Sequence, residues 1–145
     1  MNRVSARWAI LSAAVLVILA GRAGESLAQG PETPGAGSLA QQVAAGDALY
    51  AIHCAMCHGT SLAGTVEVPP LTGRFVAHWA GRPLGDLFSY LAAAMPQHAP
   101  GSLSPEQNAQ ILAFLLHKNG VPVRPRLLPS TRAQLDRIPF DAPGE

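Results

Sequence analysis

Residues 54–58 read Cys54-Ala55-Met56-Cys57-His58, and they hold both cysteines of the chain and one of its five histidines. The C-x-x-C-H spacing is typical of a site that attaches a c-type haem. On one turn of helix, two thiols can add to the vinyl groups along one edge of a porphyrin, while the following histidine lies beneath the ring and can bind the iron. We therefore predict one haem, bonded covalently through Cys54 and Cys57, with His58 as the proximal iron ligand.

Two other uses of a C-x-x-C pair fit this sequence less well. A zinc site needs four ligands, and the chain has no second cysteine pair to supply them. A thioredoxin-like thiol pair belongs beside a βαβ pattern, which the sequence lacks. Haem attachment is the interpretation that uses all three residues of the motif.

The first residues have the pattern of an export signal. Arg3 and Arg7 precede an apolar run over residues 9–20, and residues 26–28 read Ser-Leu-Ala, with small residues where a signal peptidase cuts. A retained membrane anchor would need about 20 apolar residues, and this run has 12. We predict a signal peptide over residues 1–28, removal near Ala28 and a periplasmic location, because c-type haem is attached outside the cytoplasm in bacteria.

Charge and size limit the function of the remaining chain. Removing residues 1–28 takes away three of the ten basic and one of the nine acidic residues, so 117 of the 145 residues remain with a formal charge of −1. A nucleic-acid binder would show a basic patch, so this balance argues against that class. A domain of this size buries a modest core by itself, and a haem would enlarge that core.

The pattern after the export signal predicts an all-α domain over residues 38–120. Residues 29–37 hold two prolines and three glycines and predict a flexible leader. Ser38 is a candidate N-cap for a first helix that runs into the Cys54–His58 turn. Gly46 interrupts this helix, and we expect it to allow another helix to approach closely.

Two helices should follow the glycine- and proline-rich loop at residues 59–73. Phe75 and Trp79 lie four residues apart and indicate one short helical face. Pro83 suits the first turn of the next helix. This helix should end at Met95, because the following proline disfavours helical geometry there. Its core-facing stripe has the spacing i, i+3, i+4, i+7 in Leu84, Leu87, Phe88 and Leu91.

The clearest helix start lies at Ser104, which is followed by Pro105 and, three residues on, by Gln107. This is the pattern of a capping box with proline in the first turn. The helix should end at Asn119-Gly120 and pack across the first helix. Residues 121–145 predict an extended tail packed on the domain. We expect its arginines to be solvated rather than to form a binding patch: Arg124, Arg126, Arg132 and Arg137.

Met95 is the candidate for the distal iron ligand. A thioether opposite a histidine raises the reduction potential of haem iron. Met1 starts the export signal and Met56 lies inside the C-x-x-C turn, so of the three methionines Met95 is the one able to reach the other haem face. A gap-filling core methionine is the alternative use. His98 is the rival ligand, and ligation through it would lower the potential.

The loop after the motif offers a partner for the proximal histidine. An iron-bound histidine normally donates its other ring N–H to a carbonyl or carboxylate, which fixes the ring. The carbonyl of Pro69 or Pro70 is a candidate, because proline stiffens the chain and has no N–H to compete. An ordinary surface loop is the alternative.

These motifs together resemble a single-haem class I cytochrome c, and they are most similar to periplasmic cytochromes that take electrons from quinoprotein and related dehydrogenases. The sequence departs from the family pattern at Asn108, where relatives often carry an aromatic residue, and at Pro83, where a capping Ser or Thr is usual. The resemblance covers about residues 46–119 and is carried by Cys54-Ala55-Met56-Cys57-His58-Gly59, Pro70-Leu71-x-Gly73, Met95-Pro96, Pro100-Gly101-Ser102-Leu103-Ser104, and Ile111-Leu112-Ala113-Phe114 with Asn119-Gly120.

The resemblance implies a small all-α cytochrome c fold of three to five helices around a covalent haem, with an extended C-terminal tail. It implies His58 and Met95 as the two iron ligands, and a carbonyl of Pro70 or its neighbour that orients His58. Aromatic residues should pack near the haem: Tyr50, Phe75, Trp79 and Phe114.

The predicted function is electron transfer by a carrier that turns over no substrate, because two protein ligands saturate the iron. The donor would be a periplasmic dehydrogenase, with quinoproteins as candidates, and the acceptor another cytochrome or a terminal oxidase. One alternative is a subunit docked permanently on a dehydrogenase through the tail from Val121. The other is an enzyme, either a peroxidase-like haem protein or a dithiol oxidoreductase. We expect neither a nucleic-acid partner nor stable membrane insertion.

Overall fold

A computed structural model of the protein describes residues 37–123 and 127–142. This part of the chain is all-α, as predicted, with four longer helices and two single turns. Within it, every helix falls short of the length and hydropathy that a bilayer crossing requires. The predicted signal peptide at residues 1–28 and the leader up to residue 36 lie outside the described residues. The helices are α1 (Leu39–His53), α2 (Ala55–His58), α3 (Arg74–Trp79), α4 (Leu84–Ala94), α5 (Pro105–Lys118) and α6 (Arg132–Leu135).

The two longest helices, α1 and α5, begin with the same capping arrangement. Ser38 Oγ accepts the Gln41 N–H at 3.2 Å, and Gln41 Oε1 accepts the Ser38 N–H at 2.7 Å. Ser104 and Gln107 form the same reciprocal pair at 3.2 and 2.8 Å, with Pro105 as the first helical residue. Each box satisfies two backbone N–H groups that would otherwise lack a partner. Both predicted N-caps are therefore confirmed.

Gly46 sets the distance between α1 and α5. It is buried, and a Cβ at this position would overlap the backbone carbonyl of Gln110 and lie 2.9 Å from Phe114 Cβ. The predicted close approach of a second helix is confirmed. The helix α5 contributes most of its residues to the core, on the side that faces α1 and the rest of the domain. Its buried residues are Asn108, Ala109, Ile111, Leu112, Ala113, Phe114, Leu115 and Leu116.

The helix α4 begins one residue later than predicted. Pro83 is extended, with φ −61° and ψ 140°, and occupies the N-cap position. An isolated antiparallel bridge between Pro83 and Pro139 holds it in this conformation. The helix ends as predicted, because Met95 is extended with φ −123° and ψ 149°. All four residues of the predicted stripe are buried: Leu84, Leu87, Phe88 and Leu91.

The C-terminal tail is packed on the domain and contains a helical turn, α6, that the sequence did not predict. Three apolar side chains of residues 127–142 are at most 3% exposed, namely Leu128, Leu135 and Phe140. The side-chain amide of Gln42 on α1 both donates to and accepts from the Leu128 backbone at 2.9 Å. The tail is therefore tied to the first helix.

Arg132 of the tail differs from the expectation that the arginines there are simply solvated. Its side chain is 57% exposed, but Nη2 lies 3.2 Å from Asp86 Oδ1 on α4. Arg137 is exposed, as expected. Arg124 and Arg126 lie outside the described residues.

We expect Gly46→Ala to lower the free energy of unfolding of the mature protein by about 1–3 kcal/mol, the range typical of overpacked interiors. The added methyl group meets the rigid Gln110 carbonyl, so α1 must move away from α5. The higher helix propensity of alanine, worth about 1 kcal/mol, offsets part of this cost. Urea denaturation followed by circular dichroism measures the change. Gly37→Ala is the control, because a Cβ there lies 3.5 Å from its nearest neighbour; equal effects of the two substitutions would contradict the packing account.

Candidate functional site

A cavity of about 1320 Å³ lies beside the Cys54–His58 turn. Its walls come from that turn, the loop at residues 65–71, the helices α3 and α4, and the turn at residues 95–98. Typical small-molecule sites have volumes of roughly 300–1,000 Å³. The cavity is therefore large enough to hold a ligand as large as a porphyrin.

The Cys54–His58 turn brings two thiols and an imidazole to this cavity. Cys54 ends α1 and begins α2, and its carbonyl accepts the N–H groups of Cys57 at 3.1 Å and His58 at 2.9 Å. Both cysteines are free, with Cys54 half-buried and Cys57 exposed. All three residues line the cavity. The helical turn thus has the form that two thioether bonds to one porphyrin edge require.

The environment of Cys54 disfavours the dithiol oxidoreductase hypothesis. Burial raises the pKa of its thiol to about 11, and negative charge on Cys57 adds to the rise. Redox-active thiol pairs work as thiolates and have lowered pKa values. At neutral pH the Cys54 thiol is protonated, so it is a weak nucleophile.

The loop that follows the motif holds His58. The Nδ1 atom of His58 lies 3.1 Å from the carbonyl oxygen of Pro69. When Nδ1 donates this hydrogen bond, Nε2 carries no proton and is free to bind iron. The resemblance implied a carbonyl of Pro70 or its neighbour, and the structure gives the bond to that neighbour, Pro69. Pro70 remains in the cavity wall beside it.

A glycine turn fixes where the Pro69 carbonyl lies. Gly64 has φ +68°, and a Cβ there would overlap the Val68 carbonyl oxygen. The Gly64 N–H donates to the His58 carbonyl at 2.9 Å, and the Thr65 N–H donates to the Val68 carbonyl at 2.8 Å. The loop is therefore closed onto the histidine that it orients.

Both candidates for the distal ligand reach the cavity. Met95 is half-buried at the end of α4, where its N–H donates to the Leu91 carbonyl at 3.0 Å. His98 lines the same cavity but is exposed. Met95 is the more enclosed of the two, and the buried Pro96 follows it directly.

Tyr50 ties α1 to the end of the attachment turn. Its side chain is 2% exposed, and its hydroxyl donates to the Gly59 carbonyl at 2.7 Å. Burial, with a smaller contribution from Cys54, raises the pKa of the phenol to about 12. Its ring centre lies 5.0 Å from that of Phe114. The hydroxyl therefore stays protonated and donates throughout the neutral range.

The aromatic residues near the cavity are nearly those expected. Tyr50, Phe75 and Trp79 line it, and Phe114 packs behind Tyr50. Tyr90, which was not among the expected residues, also lines the cavity, with its ring centre 5.9 Å from that of Trp79. Its position three residues after Leu87, another lining residue, is the signal that could have identified it.

The side chains of this cavity suit the predicted haem. Cys54 and Cys57 provide the two sulfurs for covalent attachment, and His58 and Met95 provide an imidazole and a thioether, both of which bind haem iron. Apolar side chains such as Leu87 and Leu91 complete the walls. When bound, the haem supplies an iron that cycles between Fe(III) and Fe(II).

We expect Tyr50→Phe to lower the free energy of unfolding at neutral pH by about 0.5–1.5 kcal/mol, the usual net value of one hydrogen bond. The difference from the unchanged protein should narrow as the pH rises. The unfolded phenol ionises near pH 10 and the folded one near 12, so the stability contributed by Tyr50 is complete below pH 10 and is lost through that interval. Denaturant midpoints measured at several pH values give this difference. Tyr90→Phe is the control, because the Tyr90 side chain is 48% exposed. If Tyr50→Phe lowered the free energy of unfolding no more than Tyr90→Phe does, or by the same amount at every pH, the assignment would be contradicted.

Comparisons with known proteins place this arrangement in a family. Residues 41–115 match the family described as cytochrome c oxidase, cbb3-type, subunit III. Among solved structures, a chain of the sulfane dehydrogenase SoxCD from Paracoccus pantotrophus is 30% identical and superposes with a TM-score of 0.52. That alignment covers 68% of this chain and 52% of the other, so this chain spans about half the length of its structural relative. The comparison with curated proteins gave no significant match.

The family match spans more than half of the 145 residues and contains the attachment motif. It agrees with the all-α fold and with the cavity beside the two cysteines. The chain therefore belongs to the family of the cbb3-type cytochrome c oxidase subunit III, as a c-type cytochrome that carries electrons on a haem bonded to Cys54 and Cys57.

Proposed function

We propose that this cytochrome works in the periplasm, where it accepts electrons from a dehydrogenase and passes them to another cytochrome or to a terminal oxidase. One observation carries the proposal: a single cavity is lined by His58, whose Nδ1 lies 3.1 Å from the Pro69 carbonyl oxygen, and by Met95. Two protein ligands that saturate an iron leave no position for oxygen or peroxide. Such a site suits electron transfer better than catalysis.

In this proposal His58 is the proximal ligand and Met95 is the distal ligand. The hydrogen bond between His58 and the Pro69 carbonyl supports the first assignment, because it orients the ring and frees Nε2. The half-buried position of Met95 at a helix end supports the second. A methionine opposite a histidine raises the reduction potential, which favours acceptance of electrons from a dehydrogenase.

The attachment turn also gives a partner access to the haem edge. Cys57 is exposed, and the Met56 side chain between the two cysteines is 79% exposed. A haem bonded to Cys57 therefore has one edge near the protein surface. Electron transfer needs a partner to approach that edge, and the turn leaves room for it.

The proposed donor is a dehydrogenase, for which the quinoproteins of the resemblance are candidates. Support comes from the structural relative, which is a chain of a sulfane dehydrogenase. The same likeness favours a second candidate function, a subunit docked permanently on a dehydrogenase rather than a free shuttle. Export is part of the proposal too, with residues 1–28 removed near Ala28, and it rests on the signal pattern in the sequence.

We expect Met95→Ala to leave the haem attached while abolishing the weak near-infrared absorption of a methionine-ligated ferric haem and lowering the midpoint potential. The thioether would be lost from the iron, but the bonds to the cysteines would not change. Absorption spectra and a redox titration measure both effects. The functional readout is the rate of reduction by a quinoprotein dehydrogenase, which should be slower for this variant than for the unsubstituted protein.

His98→Ala is the matched control, because His98 lines the same cavity three residues later. It should keep the near-infrared band and the potential. An unsubstituted protein that lacks the near-infrared band, with a spectrum and potential that change in His98→Ala but not in Met95→Ala, would assign His98 as the ligand in place of Met95. Rapid peroxide turnover by the unsubstituted protein would favour the peroxidase alternative.

A further inference from the structure

Arg82 is a cationic side chain in the wall of the haem cavity, between α3 and α4. Its guanidinium carbon lies 4.5 Å from the centre of the Trp79 ring. Trp79 is buried and also lines the cavity. A guanidinium that stacks on a buried aromatic ring loses much of its freedom and keeps its charge at any physiological pH. Arg82, whose side chain is 43% exposed, therefore holds a restrained positive charge at the cavity wall.

The carboxylate that binds Arg82 is shared with a second arginine. Arg82 Nη2 lies 3.2 Å from Asp86 Oδ2, and Arg132 Nη2 lies 3.2 Å from Asp86 Oδ1. Arg132 also donates to Ser89 Oγ at 3.0 Å and lies 3.6 Å from Asp136. Because Asp86 divides its charge between two guanidinium groups, it holds Arg82 less tightly than it would alone. Arg82 has five N–H donors; Nη2 contacts Asp86, and Nη1 lies 3.4 Å from His78 Nε2, so the other donors are unused.

The backbone around Arg82 is fixed by the C-terminal tail. The Phe140 N–H donates to the Arg82 carbonyl at 2.8 Å, and the Phe140 carbonyl accepts the Gly81 N–H at 3.0 Å. The Phe140 ring is 1% exposed and lies edge-on to Phe75, a cavity residue, at 6.2 Å between centres. The tail therefore holds one wall of the haem cavity from behind.

A glycine on α4 lets the tail come this close. A Cβ at Gly85 would overlap the Asp136 carboxylate and lie 3.1 Å from the Arg132 carbonyl. Gly85 is buried beneath α6. The contact that brings Arg132 to Asp86 is thus built into the packing of the two helices.

A haem carries two propionate carboxylates, and a carboxylate beside apolar walls needs a charged or hydrogen-bonding partner. Arg82 offers a restrained charge with unused donors at the wall of the cavity. We propose that Arg132 of the tail is a positioning residue: by sharing Asp86, it keeps Arg82 available to bind a haem propionate. The proposal rests on the attached haem and is independent of the identity of the distal ligand and of the redox partners.

A clear electrostatic consequence follows for the reduction potential. A positive charge beside the haem stabilises the reduced state, which has one positive charge fewer than the oxidised state. Without Arg132, Asp86 pairs with Arg82 alone and draws it from the propionate. Loss of either arginine therefore lowers the potential, and Arg132 acts through Arg82.

The test uses the mature, haem-loaded full chain in seven forms: unsubstituted, Arg82→Gln, Arg132→Gln, the double variant, Arg132→Lys, Arg74→Gln and Arg137→Gln. Arg137 is the matched control, because it is an exposed arginine two residues beyond α6 and its loss changes the net charge equally. The readouts are the midpoint potential and the propionate bending mode in the resonance Raman spectrum. Arg132→Lys tests rescue, because lysine restores the charge at the Asp86 carboxylate.

We expect Arg82→Gln and Arg132→Gln each to lower the midpoint potential and shift the propionate mode. The double variant should have the potential of Arg82→Gln alone, because two residues that act through one contact are not additive. Arg137→Gln should leave both readouts unchanged, and Arg132→Lys should recover most of the loss.

Three results would overturn the proposal. An unchanged potential and Raman mode in Arg82→Gln would remove this residue from the propionate. A shift in Arg74→Gln with none in Arg82→Gln would assign the propionate to Arg74, the other arginine of the cavity wall. Full additivity of Arg82→Gln and Arg132→Gln would mean that Arg132 acts by its own charge and does not position Arg82.

Discussion

The need to fill the haem cavity is the constraint on which the rest of this structure depends. The walls come from segments far apart in the sequence, from the Cys54–His58 turn to Ile111 and Leu115 on α5, and enclose about 1320 Å³. Most of the lining is apolar, and apolar surface left in contact with water is unfavourable. A haem bonded to Cys54 and Cys57 therefore completes the core, so that the redox centre and the fold are one unit.

The same arrangement explains why a small domain can hold a redox centre rigidly. The short distance between α1 and α5 at Gly46 fixes the scaffold that carries the attachment turn. Tyr50 then ties that turn to α1 through the Gly59 carbonyl, and Pro69 fixes the ring of His58. From the other side, the tail holds the wall that contains Arg82. An iron held in this way needs little rearrangement when it gains or loses an electron.

Features with a local physical cause could be predicted from the sequence. Ser38 and Ser104 each precede a glutamine by three residues, and each forms a capping box. Met95 leaves the helix because a proline follows it. The spacing of Cys54, Cys57 and His58 also predicts that they share one helical turn. The structure confirms the turn, and all three residues line the cavity.

Features that depend on distant contacts could not be predicted in the same way. The pair between Arg132 and Asp86 joins residues 46 positions apart, which no periodicity reveals. Pro83 caps α4 because Pro139 pairs with it, and Pro69 faces His58 because of the turn at Gly64. Covalent attachment is tested most directly by purifying the mature protein from a host able to mature c-type cytochromes, denaturing it with reductant, and recording its Soret absorbance and free thiols. We expect the colour to stay with the polypeptide and no thiol to titrate, whereas a colourless band with two free thiols would contradict a haem bonded to this chain.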